Sequence, residues 1–139
     1  MRTLVLDACV AIKWYVPESH SDTALALAVT EPQWIVPDLF FPEVGNVLWK
    51  KANRHEIDEE IARDIMASLL ALGIEAFATK PLVDFAIGLA CRFQCTVYDG
   101  LYLALAIEEK SQLVTADRKF YDVMAQTALG EHLLWIEDA

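Results

Sequence analysis

Four carboxylates in this 139-residue chain stand where apolar runs hand over to helical patterns. They are Asp7 after Thr3-Leu4-Val5-Leu6, Glu43 after Pro42, Asp99 in Val97-Tyr98-Asp99-Gly100, and Asp117 after Leu113-Val114-Thr115-Ala116. The runs TLVLD and QLVTAD share one form, a short stretch with the length of a buried strand, closed by an aspartate and followed at once by a helix. Open α/β sheets place their ligand sites there, outside the carboxyl ends of the strands. Taken singly, Asp7, Asp99 and Asp117 each have an ordinary explanation as helix N-caps, because a short acidic side chain accepts a bond from the free N–H groups of a first turn. Their convergence at one sheet edge, with Glu43 beside them, needs more. Two unit charges about 4 Å apart at an effective dielectric of 20 repel by roughly 4 kcal/mol, so such a pocket either takes up protons or holds a cation. Oxygen donors without soft ligands suit magnesium, bound directly by one or two carboxylates and through water by the others.

Other chemistries find little support. His20, His55 and His132 fall in loops or at helix ends, with no serine or cysteine placed to form a nucleophile–base pair. No glycine-rich phosphate loop occurs, and the chain has only 5 glycines. Cys9, Cys91 and Cys95 are odd in number and read as reduced thiols; the spacing of Cys91 and Cys95 places both on one helical face, but nothing completes a zinc site. The tryptophans and the Phe40-Phe41 pair read as core or interface before they read as stacking platforms. A net charge of -10 argues against broad, non-specific binding of nucleic acid and favours a cation or a basic partner. The cations are unevenly spread all the same. Lys50, Lys51 and Arg54 follow Glu43, and Arg118 and Lys119 follow Asp117, so these five are the candidate contacts for a polyanion; a solvated helix end explains the first three equally well. No apolar stretch approaches the 18 residues of a membrane span, and the first residues do not read as a signal peptide, so a cytoplasmic protein without a membrane partner is expected.

The elements that must position the acids alternate. Strands are expected at about residues 3–6, 34–36, 113–115 and 133–136, with an edge segment at 76–78. Between them lie a short helix over 9–15, a second capped by Ser21-Asp22-Thr23, and a third opening at Pro42 and running to about Asn53. A long helix follows Ile57-Asp58, with an apolar stripe of Ile61, Ile65, Leu69 and Leu72, and ends at Gly73. A helix from Pro81 to about Phe93, an apolar helix over Leu101–Glu108 capped by Asp99, and a last helix over 118–125 complete the pattern. Strands separated by helices imply parallel pairing and right-handed crossovers, hence one domain over residues 1–139 built as a three-layer α/β/α sandwich.

Four runs carry a family resemblance: Leu6 to Tyr15 (LDACVAIKWY), Pro42 to Leu48 (PEVGNVL), Val97 to Ala106 (VYDGLYLALA) and Leu113 to Lys119 (LVTADRK). In this order and spacing they resemble the successive signatures of PIN-domain nucleases, nearest to the VapC-type toxins of bacterial and archaeal toxin–antitoxin pairs. The resemblance implies a parallel sheet of about five strands and a magnesium- or manganese-dependent endoribonuclease. It also implies a homodimer silenced by a VapB-type antitoxin encoded with it. Carried over by position, Asp7, Glu43, Asp99 and Asp117 are the catalytic and metal-binding acids, with Asp7 and Asp99 the first choice for direct ligation, while Thr115 and Asn46 are polar neighbours that assist. Gly100 stands where alanine is commoner. Lys50, Lys51, Arg54, Arg118 and Lys119 become candidate RNA contacts, and Phe40, Phe41, Trp49 and the Ile61 stripe candidates for the antitoxin groove. With no histidine pair to drive attack by the RNA 2′-hydroxyl, water is the expected nucleophile, leaving 5′-phosphate and 3′-hydroxyl ends. The competing readings are a non-catalytic binding module of the same fold and a nuclease acting on DNA. A phosphoacceptor receiver domain wants paired acids after the first strand, and Asp7-Ala8-Cys9 lacks the pair.

Overall fold

The computed structural model describes residues 2–29 and 32–139. Five strands, β1 (Thr3–Leu6), β2 (Gln33–Pro37), β3 (Glu75–Phe77), β4 (Gln112–Thr115) and β5 (Leu133–Trp135), form one sheet in the order β3-β2-β1-β4-β5. Every pairing is parallel. Among the described residues seven α-helices accompany the sheet: α1 (Ala8–Ile12), α2 (Ser21–Val29), α3 (Phe40–Asn53), α4 (Glu59–Leu70), α5 (Val83–Phe93), α6 (Val97–Glu108) and α7 (Arg118–Ala125). A parallel sheet is covered on both faces, and β1 shows it: Leu4, Val5 and Leu6 are all but inaccessible whichever way they point.

Strand order reverses at the centre. From β1 the chain first adds β2 on one side and later β4 on the other, so the crevice between β1 and β4 is the topological switch point of the sheet. The register Leu6↔Val114 ends these two strands almost level, so that Asp7 and Asp117 emerge on either side of that crevice.

Several boundaries differ from the sequence expectation, each for a local reason. Helix α1 stops at Ile12 rather than Tyr15. Helix α3 starts at Phe40, so Pro42 lies inside its first turn rather than opening it; the N–H groups of a first turn have no helical acceptor, which is why a proline there costs nothing. Pro81 sits in a 3-10 turn, Lys80–Leu82, and α5 follows it. Helix α6 starts at Val97 and is capped by Thr96, not by Asp99. Of the residues set aside for an antitoxin groove, Phe40, Ile65 and Leu69 belong to the core instead. Ile61 remains 46% exposed on α4 and Leu72, beyond the end of α4, 54% exposed, so only Ile65 and Leu69 of the expected stripe are used inside the fold. No described helix is long and apolar enough to cross a membrane.

Helix α6 is the hub of the core, with Gly100 to Ala106 buried without a break. A helix buried all round has packing partners on every side, and here the approach of α5 is unusually close: a Cβ on Gly100 would lie 2.8 Å from the carbonyl oxygen of Ala86 and 3.3 Å from its Cα. The absence of a side chain is therefore what lets the two helices meet. Alanine, the commoner residue in related runs, should destabilise this chain. Overpacking outweighs the gain in helix propensity, and Gly100→Ala is expected to cost about 1–2 kcal/mol in denaturant unfolding without a change in slope. An unchanged or raised midpoint would show that α5 yields to the extra methyl group.

Candidate active site

Asp7 occupies the turn between β1 and α1. Its backbone is extended (φ -78°, ψ 143°) and the Cys9 N–H points at Asp7 Oδ1 from 3.5 Å, a long contact for a cap. Asp117 caps α7 more tightly, with the Phe120 N–H donating to Asp117 Oδ1 at 3.1 Å. Thr115, at the end of β4 and only 1% exposed, accepts from the Asp117 N–H at 3.1 Å through Oγ1, so the hydroxyl fixes the turn that carries the carboxylate. Asp99 arrives by another route. Thr96 Oγ1 accepts from the Asp99 N–H at 3.0 Å, which places Asp99 in the first turn of α6 rather than at its cap. Glu43 likewise lies in the first turn of α3, and its Oε1 is buried without a hydrogen-bond partner among the described residues.

Asp7, Asp99, Thr115 and Asp117 line one small cavity, together with Tyr102, Leu113 and Phe120. Its volume of about 20 Å³ is room for about one water molecule or ion. Charge couples the acids. Asp7 is pushed up from 3.8 to about 7, chiefly because burial disfavours its charged form; the Cys9 N–H opposes this, and Glu43, Asp99 and Asp117 add to it. Burial also raises Glu43, opposed by the neighbouring Tyr102 phenol and reinforced by Asp99. Asp99 is raised by burial and by Asp117 against hydrogen bonding from Thr96. Asp7 and Glu43 are half-buried and Asp99 and Asp117 more exposed, so burial is the first cause of the raised values and the mutual repulsion of the acids adds to it.

Asp7, Asp99 and Asp117 are brought together with Thr115 in one cavity, while Glu43 lies outside its lining and is tied to Asp7 and Asp99 by charge. Asn46 is not: it is exposed on α3, one turn beyond Glu43, and does not line the cavity. The cations divide. Lys51 is drawn back to Glu18, with 3.2 Å between Nζ and Oε2, and Lys13 holds the other oxygen of the same carboxylate at 3.1 Å. Lys50 and Arg54 are exposed. Arg118 lies over the Trp135 ring at 4.6 Å from its centroid and pairs with Asp122, while Lys119 lines a neighbouring trough that Asp99 and Asp117 also line. Two site residues were passed over in the sequence. Thr96 opens the pattern Thr-x-x-Asp, the sequence signature of a capping box, and that signal was legible. Tyr102, three residues after Asp99, was hidden in an apolar run. Its phenol oxygen is buried beside Glu43, close enough to oppose the upward shift that burial gives that carboxyl.

A divalent cation fits the donor set. The ligands are hard oxygens, Asp7, Asp99 and Asp117 line one cavity with room for about one ion, and burial first and the facing acids after it hold Asp7 up to about 7. Among the described residues no three His, Cys, Asp or Glu side chains are drawn together tightly enough to hold an ion by themselves.

A parallel five-stranded sheet with carboxylates gathered at its switch point defines a class of α/β proteins, and comparison with known proteins places the chain within it. The PIN domain profile matches residues 4–125. A Pyrobaculum aerophilum protein named Ribonuclease VapC3 is 38% identical over 121 residues, spanning 84% of this chain and 90% of that one. The chain belongs to the PIN-domain family. Solved structures share its fold: a Pyrobaculum aerophilum protein has a TM-score of 0.71 at 24% identity, covering 98% of this chain and 85% of its own. VapC20 of Mycobacterium tuberculosis, described as a Sarcin-Ricin loop cleaving toxin, has a TM-score of 0.69 at 14% identity, covering 86% and 93%. VapBC2 of Rickettsia felis, solved on a DNA fragment from its promoter, follows at 0.65 and 16%, covering 96% of each chain.

Proposed function

We propose that this chain is the toxin of a VapBC-type toxin–antitoxin pair, a magnesium- or manganese-dependent endoribonuclease that hydrolyses RNA with water. The observation that carries the reading is the gathering of Asp7, Asp99 and Asp117 around one cavity at the β1–β4 switch point, where burial first and the facing acids after it push Asp7 up to about 7. Its 38% identity to a protein named as a ribonuclease supports the reaction class. Asp7 and Asp99 would hold the cation directly, and Glu43 and Asp117 would reach it through water. Bound there, such an ion lowers the pKa of water and offsets charge on the leaving oxygen. The chain's own residues do the positioning. Thr115 fixes the Asp117 turn and Thr96 fixes the first turn of α6, so two of the four carboxylates are set by buried or capping hydroxyls rather than by flexible loops. Leu113 and Phe120 form the apolar part of the cavity wall.

The same charge fits a second role. An arginine or lysine from an antitoxin would satisfy the carboxylates in place of the cation, which couples inhibition to the catalytic pocket. Ile61, Leu70 and Leu72 on one side, and Val83, Phe85 and Ile87 on another, are exposed and give apolar surface to an antitoxin and to a second copy of the chain in a cytoplasmic complex. The test is to sequence the ends of cellular RNAs after brief induction, with Asp7→Asn as control. New 5′-phosphate ends at discrete sites are expected with the natural chain alone. Identical end profiles in the two would leave a non-catalytic binding module, and cuts confined to DNA would replace RNA as the substrate.

A further inference from the structure

Beside the acid cavity runs a trough of about 410 Å³ between the C-terminal end of α5 and the exposed face of α7. We propose that this trough is the subsite for the nucleobase adjoining the cleaved phosphodiester, an inference that rests on the ribonuclease reading and gives it a specificity element. Three features converge on such a ligand. First, the trough is continuous with the proposed site of cleavage: Asp99, Asp117 and Phe120 line both it and the acid cavity. A group held here is therefore one step from the reacting phosphate. Second, the walls are chiefly apolar, with the rings of Phe93 and Phe120 and the 50% exposed side chain of Val123. A flat, neutral heterocycle stacks on such walls, whereas a bare anion would be repelled by Asp99 and Asp117.

Third, the rim has the polar groups a base edge needs. Gln94 ends α5 in the left-handed region (φ 56°), and its Nε2 donates to the Cys91 carbonyl at 2.9 Å. That bond holds the amide in place and leaves Oε1 and the second N–H for a base. Lys119, exposed one helical turn before Val123, supplies a cation for a flanking phosphate. A volume of about 410 Å³ falls within the range of roughly 300–1,000 Å³ typical of small-ligand pockets, large enough for a base. To enter, the base must leave any helical stack, so the trough selects single-stranded or loop RNA over duplex.

The test is a double-mutant cycle between protein and substrate. Val123→Trp fills the trough from an exposed position, and single abasic residues are placed in turn around the cut in a short single-stranded RNA. With magnesium present, the natural chain is expected to lose on the order of 10- to 100-fold in kcat/KM for an abasic residue at one position only. Val123→Trp is expected to lose a similar factor on intact RNA, and the two losses should not add, because both empty the same contact. Losses that multiply, or unchanged cleavage by Val123→Trp, would overturn the subsite while leaving the ribonuclease standing. Val123→Trp that weakens an antitoxin without altering RNA cleavage would assign the trough to the protein partner and overturn it equally. If the natural chain cuts no RNA in magnesium, the underlying reading fails and the subsite falls with it.

Discussion

Asp7→Asn is expected to slow RNA cleavage at saturating magnesium by about 1000-fold or more, roughly 4 kcal/mol of barrier. Asp7 is the acid on which the other three converge, and asparagine keeps its shape and its capping oxygen while removing the charge. Asp99→Asn should fall in the same range. Asp117→Asn should lose less, about 10- to 100-fold, because a carboxylate that acts through water leaves the direct ligands in place. Single-turnover cleavage of a defined RNA, followed across a magnesium titration, separates these cases. A loss that excess magnesium restores marks a binding defect, and a loss that persists marks the chemical step. Retention of activity within tenfold in Asp7→Asn would take Asp7 out of the mechanism.

The same substitution should stabilise the metal-free protein. Folded Asp7 holds its proton to about pH 7, whereas the unfolded side chain releases it near 3.8. Between those values the native state binds more protons than the unfolded one, so stability falls as pH rises through the window, and the full loss is present above about pH 7. Glu43 and Asp99 are raised as well and add in the same direction. In the presence of a chelator, Asp7→Asn is expected to be about 2–4 kcal/mol more stable than the natural chain at pH 8 and nearly equal to it at pH 4. Magnesium should narrow the gap at pH 8, because a bound cation removes the repulsion that asparagine removes covalently. Denaturant unfolding at the two pH values, with and without the ion, gives the comparison. Equal stability at pH 8 without metal would mean that neither burial nor the facing acids hold the Asp7 carboxyl above its ordinary range.

Much of this was legible from residue order. The strand-end aspartates Asp7 and Asp117 announce themselves, since a short apolar run, an aspartate and a helical pattern leave few alternatives, and β1 and β4 lie where those runs place them. The parallel topology follows from alternation alone. Asp99 was misread as a cap because α6 is buried on all sides and shows no amphipathic period to date its start; its apolar run from Leu101 looked like the beginning of the helix when Thr96 had already capped it. Tyr102 was lost for the same reason, as a phenol in a buried run reads as packing. The need for glycine at position 100 was not legible, because a glycine does not reveal how near the next helix comes, a distance set by Ala86 from another segment. The pairing of Lys51 with Glu18 spans 33 residues and leaves no local pattern, so a cation that seemed available to RNA is already engaged.

Incubating the purified chain with an end-labelled single-stranded RNA, in magnesium and in chelator, and determining the chemistry of the product ends tests the carboxylate site most directly. Cleavage should require the ion, vanish in Asp7→Asn, and leave 5′-phosphate and 3′-hydroxyl termini, because water is the nucleophile. Cleavage that persists in chelator, or products ending in 2′,3′-cyclic phosphate, would contradict a cation-dependent hydrolysis built on Asp7, Glu43, Asp99 and Asp117.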